Sequence, residues 1–143
     1  MALKEIMYDS HEYEQMIQLR LDVLRKPLGL SFSLDELQKE KDDILLGAFE
    51  EEQLLACCAL TPVDNATIQL RQMAVQNNLQ GRGVGAILLR FAENIARDRG
   101  YSYMSMHARD TATGFYEKHG YETEGDLFYE VTIPHFKMVK KIK

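Results

Sequence analysis

Apolar residues at helical spacing characterise the first part of the chain, after a short strand predicted at Leu3–Met7. Asp9 or Ser10 can cap this helix at its N-terminus, and the stretch from Pro27 to Gly29 ends it. The apolar positions that recur on one face are Met16, Leu19, Val23 and Leu24. The pattern therefore predicts an amphipathic helix between these two signals.

A capping box follows, and after it the apolar period changes to that of strands. Ser33 and Glu36 have the capping-box spacing, which predicts a short second helix ending near Lys41. Beyond Asp43, apolar side chains favour β-strands. The pattern predicts three consecutive strands, which we expect to be antiparallel neighbours: Ile44–Phe49, Leu54–Thr61 and Thr67–Val75.

A glycine-rich stretch links the third of these strands to a long helix, which Gly100 ends. The predicted buried face of this helix consists of Val84, Ile87, Leu88, Phe91, Ala92 and Ile95. A strand at Tyr101–Ala108 comes next, so we expect it to lie parallel to the strand before the helix, joined by a right-handed crossover. An α+β or α/β domain is completed by a helix from about Asp110 to His119 and by strands at Tyr121–Leu127 and Tyr129–Met138.

Composition fits a single domain over residues 1–143, with 45% hydrophobic and 27% charged residues. The net charge of -5 argues against nucleic-acid or membrane partners, because binding to phosphate backbones and anionic lipids depends on surplus Lys and Arg. No window approaches the ~20 apolar residues of a membrane span. Cys57 and Cys58 are adjacent and poorly placed for a disulfide, so we expect a reduced, cytoplasmic protein. Metal-ligand spacing of His or Cys is absent, so no metal is expected.

The stretch NLQGRGVGAILL, from Asn78 to Leu89, has the form of a phosphate-binding loop before a helix. Its letters GRGVGA satisfy the dinucleotide pattern G-x-G-x-x-G/A, whereas QGRGVG satisfies Q/R-x-x-G-x-G/A. A dinucleotide fold also needs an acidic residue closing the next strand ~20 residues on, and Asp110 comes too late. The loop pattern thus favours a phosphate ligand, and a nucleotide-binding module remains an alternative.

Two segments together resemble the signature of one enzyme family. The first is Gln80–Gly85, and the second is ATGFYEKHGY, from Ala112 to Tyr121, which is similar to A-x-x-x-Y-E-x-x-G-F/Y. With them, Leu70–Glu122 resembles the core of the GNAT superfamily of acyl-CoA-dependent N-acetyltransferases, and the ends of the chain are similar to its small bacterial members. The resemblance implies an α/β (α+β) fold. Its mixed, largely antiparallel twisted sheet would have six to seven strands, a central parallel pair and about four flanking helices.

The resemblance also implies acetyl-CoA as cosubstrate. In the family, the loop cradles the CoA pyrophosphate with backbone amides, and the preceding strand carries a bulge and splays so that pantetheine pairs with its backbone. Many members have Asn where this chain has Arg109. We expect the Arg109 side chain to contact a phosphate or pantetheine oxygen of CoA. The implied cofactor-binding residues are Met73, Ala74, Val75, Gln80, Gly81, Arg82, Gly83, Val84, Gly85 and Arg109.

For catalysis, the resemblance implies Tyr116 as the general acid that protonates the leaving thiolate, with Phe115 as a packing residue. A base must also deprotonate the attacking ammonium, and imidazole titrates in a suitable range. His107 ends the strand that would line the splay, and His135 lies on a late strand, so either is a candidate base.

The predicted activity is therefore acetyl transfer from acetyl-CoA to a primary amine by direct attack in a ternary complex. The acceptor would be a small-molecule or peptide amine, and the sequence pattern does not select one. An acyl-CoA-binding sensor or interaction module without turnover would carry the same motif. Exposed late strands could pair two copies into a homodimer.

Overall fold

The computed structural model describes residues 1–143, and its helices and strands follow the predicted order. The α-helices are α1 (His11–Arg20), α2 (Leu34–Gln38), α3 (Val84–Asp98) and α4 (Thr113–Lys118). The strands are β1 (Ala2–Ile6), β2 (Ile44–Glu50), β3 (Gln53–Pro62), β4 (Thr67–Val75), β5 (Tyr103–Arg109), β6 (Glu122–Glu130) and β7 (Ile133–Lys141). None of the helices combines the length and the apolar character needed to cross a membrane.

The seven strands form one mixed sheet in the order β1-β2-β3-β4-β5-β7-β6. Strands β4 and β5 are parallel, paired from Thr67 with Tyr103 to Leu70 with Met106. The pairs β1–β2, β2–β3, β5–β7 and β6–β7 are antiparallel. A mixed sheet with one central parallel pair and four α-helices confirms the predicted fold class.

Chain packing divides the molecule into two compact units. The first comprises Met1–Thr61 and Gln72–Ala92, and the second comprises Pro62–Arg71 and Glu93–Lys143. Strand β4 and helix α3 each contribute residues to both units. The expectation of one domain over residues 1–143 stays a prediction.

The first unit has its core between α1 and the early strands. Its buried apolar cluster comprises Ile6, Tyr13, Met16, Leu19, Leu45, Phe49, Leu54, Cys57, Ala59 and Ala74. Ser10 is the N-cap of α1, because its hydroxyl accepts a hydrogen bond from the Tyr13 amide at 3.2 Å. The helical path continues beyond α1 as a π-helical turn at Leu21–Arg25 and a 3₁₀ turn, and Gly29 ends it with a φ of 71°.

Helix α3 buries a slightly different face from the predicted one. Ile87, predicted to face inward, is 38% exposed, whereas Leu89 and Ala96 are fully buried. The buried stripe follows the i, i+4 positions Val84, Leu88, Ala92 and Ala96. Apolar residues on both flanks of that stripe make its centre ambiguous in the sequence.

The final hairpin turns later than predicted. Strand β6 extends to Glu130 and β7 begins at Ile133, so the predicted boundary between Leu127 and Tyr129 is wrong. The turn residues are Val131 and Thr132, with φ values of 47° and 63°. Two left-handed residues are typical of tight two-residue hairpins, but glycine and asparagine usually occupy them. Two β-branched residues therefore hide the turn from sequence analysis.

Candidate active site

The glycine loop joins β4 to α3 in the first unit. A 3₁₀ turn spans Asn77–Leu79, and Gly81 and Gly83 follow with φ values of 83° and 86°. Helix α3 begins immediately afterwards, and its first intrahelical bond runs from the Ile87 amide to the Gly83 carbonyl at 3.1 Å. The amides before that point have no acceptor within the helix, and the helix dipole adds positive potential there. The loop and helix together have the geometry that is typical of anion-binding helix ends.

Gln80 stabilises the loop through its side chain. Its Nε2 donates to the Val75 carbonyl and to the Asn77 Oδ1, both at 3.2 Å. The side chain is thereby directed at the loop itself, which leaves backbone amides as the groups available to a phosphate. Arg82, one residue beyond the turn, is exposed, and its amide donates to the Leu79 carbonyl at 3.2 Å.

Strand β4 changes conformation before it reaches the loop. The parallel ladder with β5 stops at Leu70, although β4 continues to Val75. Just beyond, Gln72 has a φ of 56°, which is unusual for a non-glycine residue within a strand. The Sγ of Cys57 lies 3.9 Å from the Gln72 carbonyl oxygen. The three cofactor-binding candidates Met73, Ala74 and Val75 follow this irregularity, and only Ala74 is fully buried.

The two cysteines are buried and free. Burial raises the pKa of the Cys57 thiol to about 12, and burial also raises the pKa of Cys58. A thiol that stays protonated at neutral pH is a poor nucleophile, so a covalent acyl-cysteine route has no support in the structure.

Tyr116 lies on α4 in the second unit and is 7% exposed. Its ring packs edge-on against Phe115, with centroids 5.0 Å apart, and against Tyr121 at 5.9 Å. The Tyr121 hydroxyl donates to Glu93 at 2.7 Å, and burial followed by this carboxylate raises the Tyr121 pKa. Because Tyr121 is anchored to α3 in this way, the ring of Tyr116 has a fixed neighbour.

His107 lies on β5 and contacts two residues of β6. Its Nδ1 is 2.8 Å from the Glu130 Oε2, and its ring meets Phe128 edge-on with centroids 5.1 Å apart. About 40% of the His107 side chain is exposed. The contact with Glu130 uses Nδ1, so the second ring nitrogen, Nε2, takes no part in it.

His135, the other candidate base, lies on β7 and is buried, with 5% of its surface exposed. Its Nδ1 is 2.8 Å from the Ile133 carbonyl, and its ring stacks on Phe128 at 5.9 Å. Across the sheet, His135 is paired with Arg109 of β5 and with Phe128 of β6. The structure therefore brings both candidate bases and Arg109 to one region of the second unit.

Glu130 and Phe128 contact the candidate base His107, and sequence analysis did not find either of them. The misplaced hairpin boundary assigned Phe128 to no strand and Glu130 to the wrong one. The register also shifts within β6. Glu124 lies opposite Lys137 and Phe128 lies opposite His135, so an advance of four residues along β6 matches an advance of two along β7. An irregular register of this kind leaves no periodic signal in the sequence. A carboxylate just before a histidine-containing strand was the only available clue.

The chain is similar to known proteins both in sequence and in fold. The sequence model of the Acetyltransferase (GNAT) family matches residues 8–121. The uncharacterized N-acetyltransferase YjcF of Bacillus subtilis is 30% identical over 108 residues, covering 75% of each protein. An aminoglycoside 6'-N-acetyltransferase complexed with coenzyme A superposes with a TM-score of 0.86 at 16% identity, covering 100% of this chain and 98% of that one. An acetyl-CoA-bound GNAT acetyltransferase from Elizabethkingia anophelis gives a TM-score of 0.74 at 18% identity, covering 98% and 97% of the chains.

Proposed function

Since the chain belongs to the GNAT family of acetyltransferases, we propose that it transfers the acetyl group of acetyl-CoA to a primary amine by direct attack in a ternary complex. Family membership makes it an acetyl-CoA-dependent acetyltransferase. The proposal adds the amine acceptor and the absence of an acyl-enzyme. The observation that carries it is the glycine loop before α3, because the left-handed Gly81 and Gly83 lead into a helix N-terminus, a geometry that supports binding of a CoA pyrophosphate.

Cofactor binding is proposed to use mainly backbone groups. The amides of Gly81, Gly83, Val84 and Gly85 would hold the pyrophosphate, and the Arg82 side chain would add a positive charge, since the Arg82 amide already donates to Leu79. Backbone groups of Met73–Val75 would pair with the pantetheine arm, since the parallel ladder of β4 has ended before them. Arg109, which replaces the Asn of many family members, would contact a cofactor oxygen. Two of the structural neighbours contain CoA or acetyl-CoA, which supports this choice of cosubstrate.

The bonds formed and broken, and the protons transferred, show that the reaction needs a group that accepts protons and a group that donates one. A carbon–nitrogen bond forms and the carbon–sulfur bond of the thioester breaks. The ammonium loses one proton before attack and the nitrogen loses another as the amide forms, while the departing thiolate gains one. One proton is therefore released to solvent in each turnover.

We assign protonation of the thiolate to Tyr116. The ordinary pKa of a phenol is about 10 and that of a thiol is about 8.5. A phenol is therefore the weaker acid, and it protonates a thiolate effectively only when its hydroxyl is held close to the sulfur. Tyr116 is held on α4 by two aromatic neighbours. The base is proposed to be one of the two histidines of β5 and β7, His107 or His135. Both lie in the same unit as Tyr116.

The acceptor is proposed to be a small-molecule or peptide amine, and the activity is proposed to be cytoplasmic. Free cysteines such as Cys57 and Cys58 are typical of reducing compartments. The net charge of -5 is compatible with a cationic acceptor and disfavours nucleic acid.

A thiol-release assay with acetyl-CoA tests the proposal. Polyamines, aminoglycosides, amino acids and lysine peptides serve as acceptors, and we expect saturable release of CoA with one of these classes. Calorimetry with acetyl-CoA, NAD and ATP runs in parallel. Tight binding of acetyl-CoA without turnover of any amine would identify a sensor instead of an enzyme. Binding of NAD or ATP without binding of acetyl-CoA would contradict the assignment of the loop.

A further inference from the structure

His107 and Glu130 form an imidazole–carboxylate pair outside the family signature segments. The Nδ1 of His107 is 2.8 Å from the Glu130 Oε2. A carboxylate only accepts hydrogen bonds, so Nδ1 must carry the hydrogen when the pair is formed. In the neutral imidazole, Nε2 then has the free lone pair. The carboxylate thus fixes which nitrogen of His107 can accept a proton.

The strands are arranged so that this pair can form. The register shift in β6 brings Phe128, rather than Asp126, opposite His135. Glu130 is the last residue of β6 before the turn at Val131 and Thr132, whose left-handed backbone is costly for β-branched residues. A bulge of this kind redirects the side chains that follow it. Together, the bulge and the turn determine where Phe128 and Glu130 lie.

The surroundings distinguish the two histidines as candidate bases. A base must become a cation when it takes a proton, and Glu130 lies beside His107 to stabilise that cation. His135 is buried, and its Nδ1 contacts a backbone carbonyl rather than a carboxylate. His107 is also the more exposed of the two, and a base must be reached by the amine that it deprotonates.

We propose that His107 is the general base of the acetyl transfer, and that Glu130 and Phe128 are positioning residues that fix its tautomer and ring plane. The proposal rests on the acetyl-transfer function proposed above. The Nε2 atom takes the proton of the bound ammonium, directly or through one water, and later releases it to solvent. His135 supports the arrangement through its ring, which stacks on Phe128.

The charged groups around His107 set what a pH profile should show. Glu130 faces it from β6, Lys137 is its partner on β7, and Arg109 and His135 form the pair two residues further along these strands. Lys137 is itself paired with Glu124 at 3.2 Å, so Glu130 is the carboxylate in contact with the ring. Removing the Glu130 charge should therefore move the acid limb of the kcat/KM profile to lower pH.

The test compares Glu130→Gln with Glu122→Gln, a matched control that removes another exposed carboxylate of β6, one that lies opposite Val139. His107→Gln should lower kcat/KM by about 100-fold with acetyl-CoA affinity unchanged, a typical value for losing a base. Glu130→Gln should lower it by about tenfold and shift the acid limb, whereas Glu122→Gln should change neither. The double variant His107→Gln/Glu130→Gln should be no slower than His107→Gln alone, since the two residues act as one unit.

Imidazole nitrogen NMR gives a readout that does not depend on turnover. The wild-type protein should show His107 with its hydrogen on Nδ1, and Glu130→Gln should yield a mixture of tautomers. A pH profile of Glu130→Gln that superimposes on that of Glu122→Gln would overturn the positioning role. Loss of the acid limb in His135→Gln, with the limb retained in His107→Gln, would make His135 the base. Failure of every amine to turn over would instead contradict the acetyl-transfer function itself.

Discussion

At the scale of single residues, Tyr116 has the most direct expected effect on the reaction. Its ring is fixed by Phe115 and Tyr121, and only its hydroxyl is proposed to take part in chemistry. Tyr116→Phe keeps the aromatic packing and removes that hydroxyl. We expect kcat to fall by about 100-fold or more while acetyl-CoA affinity changes little.

Steady-state kinetics and calorimetry of the same preparation measure both quantities for Tyr116→Phe. Phe115→Leu serves as the control, since it disturbs the packing of the same helix without removing a hydroxyl. An unchanged kcat in Tyr116→Phe would exclude Tyr116 as the acid. A fall of equal size in both variants would indicate a packing effect.

A glycine of the phosphate loop provides a second prediction at this scale. Gly83 has a φ of 86°, and a Cβ at this position would have no neighbour within 4 Å, so backbone conformation rather than crowding selects glycine there. Gly83→Ala should destabilise the fold by about 1 kcal/mol and weaken acetyl-CoA binding by about tenfold or more, because strain shifts the amides that bind phosphate.

The matched control for Gly83→Ala is Gly100→Ala, at the other end of the same helix. Gly100 has a φ of 94° and equally open surroundings. Thermal unfolding should show similar losses of stability in both variants, whereas calorimetry should show weaker acetyl-CoA binding only in Gly83→Ala. Equal acetyl-CoA affinity in the two variants would contradict the phosphate role of the loop.

At the scale of elements, a buried ion pair connects α1 to the segment after α2. Arg20 is fully buried, and its guanidinium donates to both oxygens of Glu40, at 2.8 and 2.6 Å. Tyr13 donates to the same carboxylate at 2.8 Å, and Phe32 lies under the guanidinium, 4.6 Å from its central carbon. Burial and the adjacent Glu40 raise the Tyr13 pKa.

Breaking this ion pair should be costly. Glu40→Gln leaves the Arg20 charge buried without its partner, and we expect a loss of about 3–5 kcal/mol in the free energy of unfolding. Asp35→Asn, which breaks the exposed pair with Lys39, should have little effect. Urea titration measures both values. A double replacement, Arg20→Met with Glu40→Leu, should recover much of the loss, and failure to do so would argue against an electrostatic origin.

Sequence analysis predicted the elements far better than the site. The period of apolar residues located β4, and Gly100 located the end of α3. Both features depend on local patterns that the fold preserves. The glycine loop was predicted for the same reason. The contact of His107 with Glu130 depends on a bulge and on a turn of Val131 and Thr132, and neither has a local signature. Sequence analysis therefore left the choice of base open.

At the scale of the whole molecule, buried acids predict how stability changes with pH. Burial raises the pKa of Cys57 to about 12 and raises those of Cys58 and Tyr121 as well. A group whose folded pKa is raised stabilises the fold fully below its unfolded pKa and loses that contribution as pH rises toward the folded value. In the unfolded chain, the pKa of a cysteine thiol is about 8.5 and that of a tyrosine phenol is about 10.

The free energy of unfolding should therefore fall from about pH 8.5 upward, by up to about 1.4 kcal/mol per pH unit for each thiol involved. Urea titrations between about pH 7 and 10 under reducing conditions measure this slope. Replacing Cys57 and Cys58 by alanine should flatten the slope between about pH 8.5 and 9.5, before tyrosines begin to ionise. A slope identical to that of the wild type would show that other groups control alkaline unfolding.

The carboxylates of β6 also affect how the protein behaves at high concentration. This strand is the last in the sheet, and eight of its nine residues are exposed, including Glu122, Glu124, Asp126 and Glu130. An unpaired strand edge usually invites a second chain to add to the sheet, but two such edges would bring like charges together. Salt would weaken that repulsion, so self-association through β6 should increase with ionic strength. Glu130, which contacts His107, thus also helps to keep molecules apart.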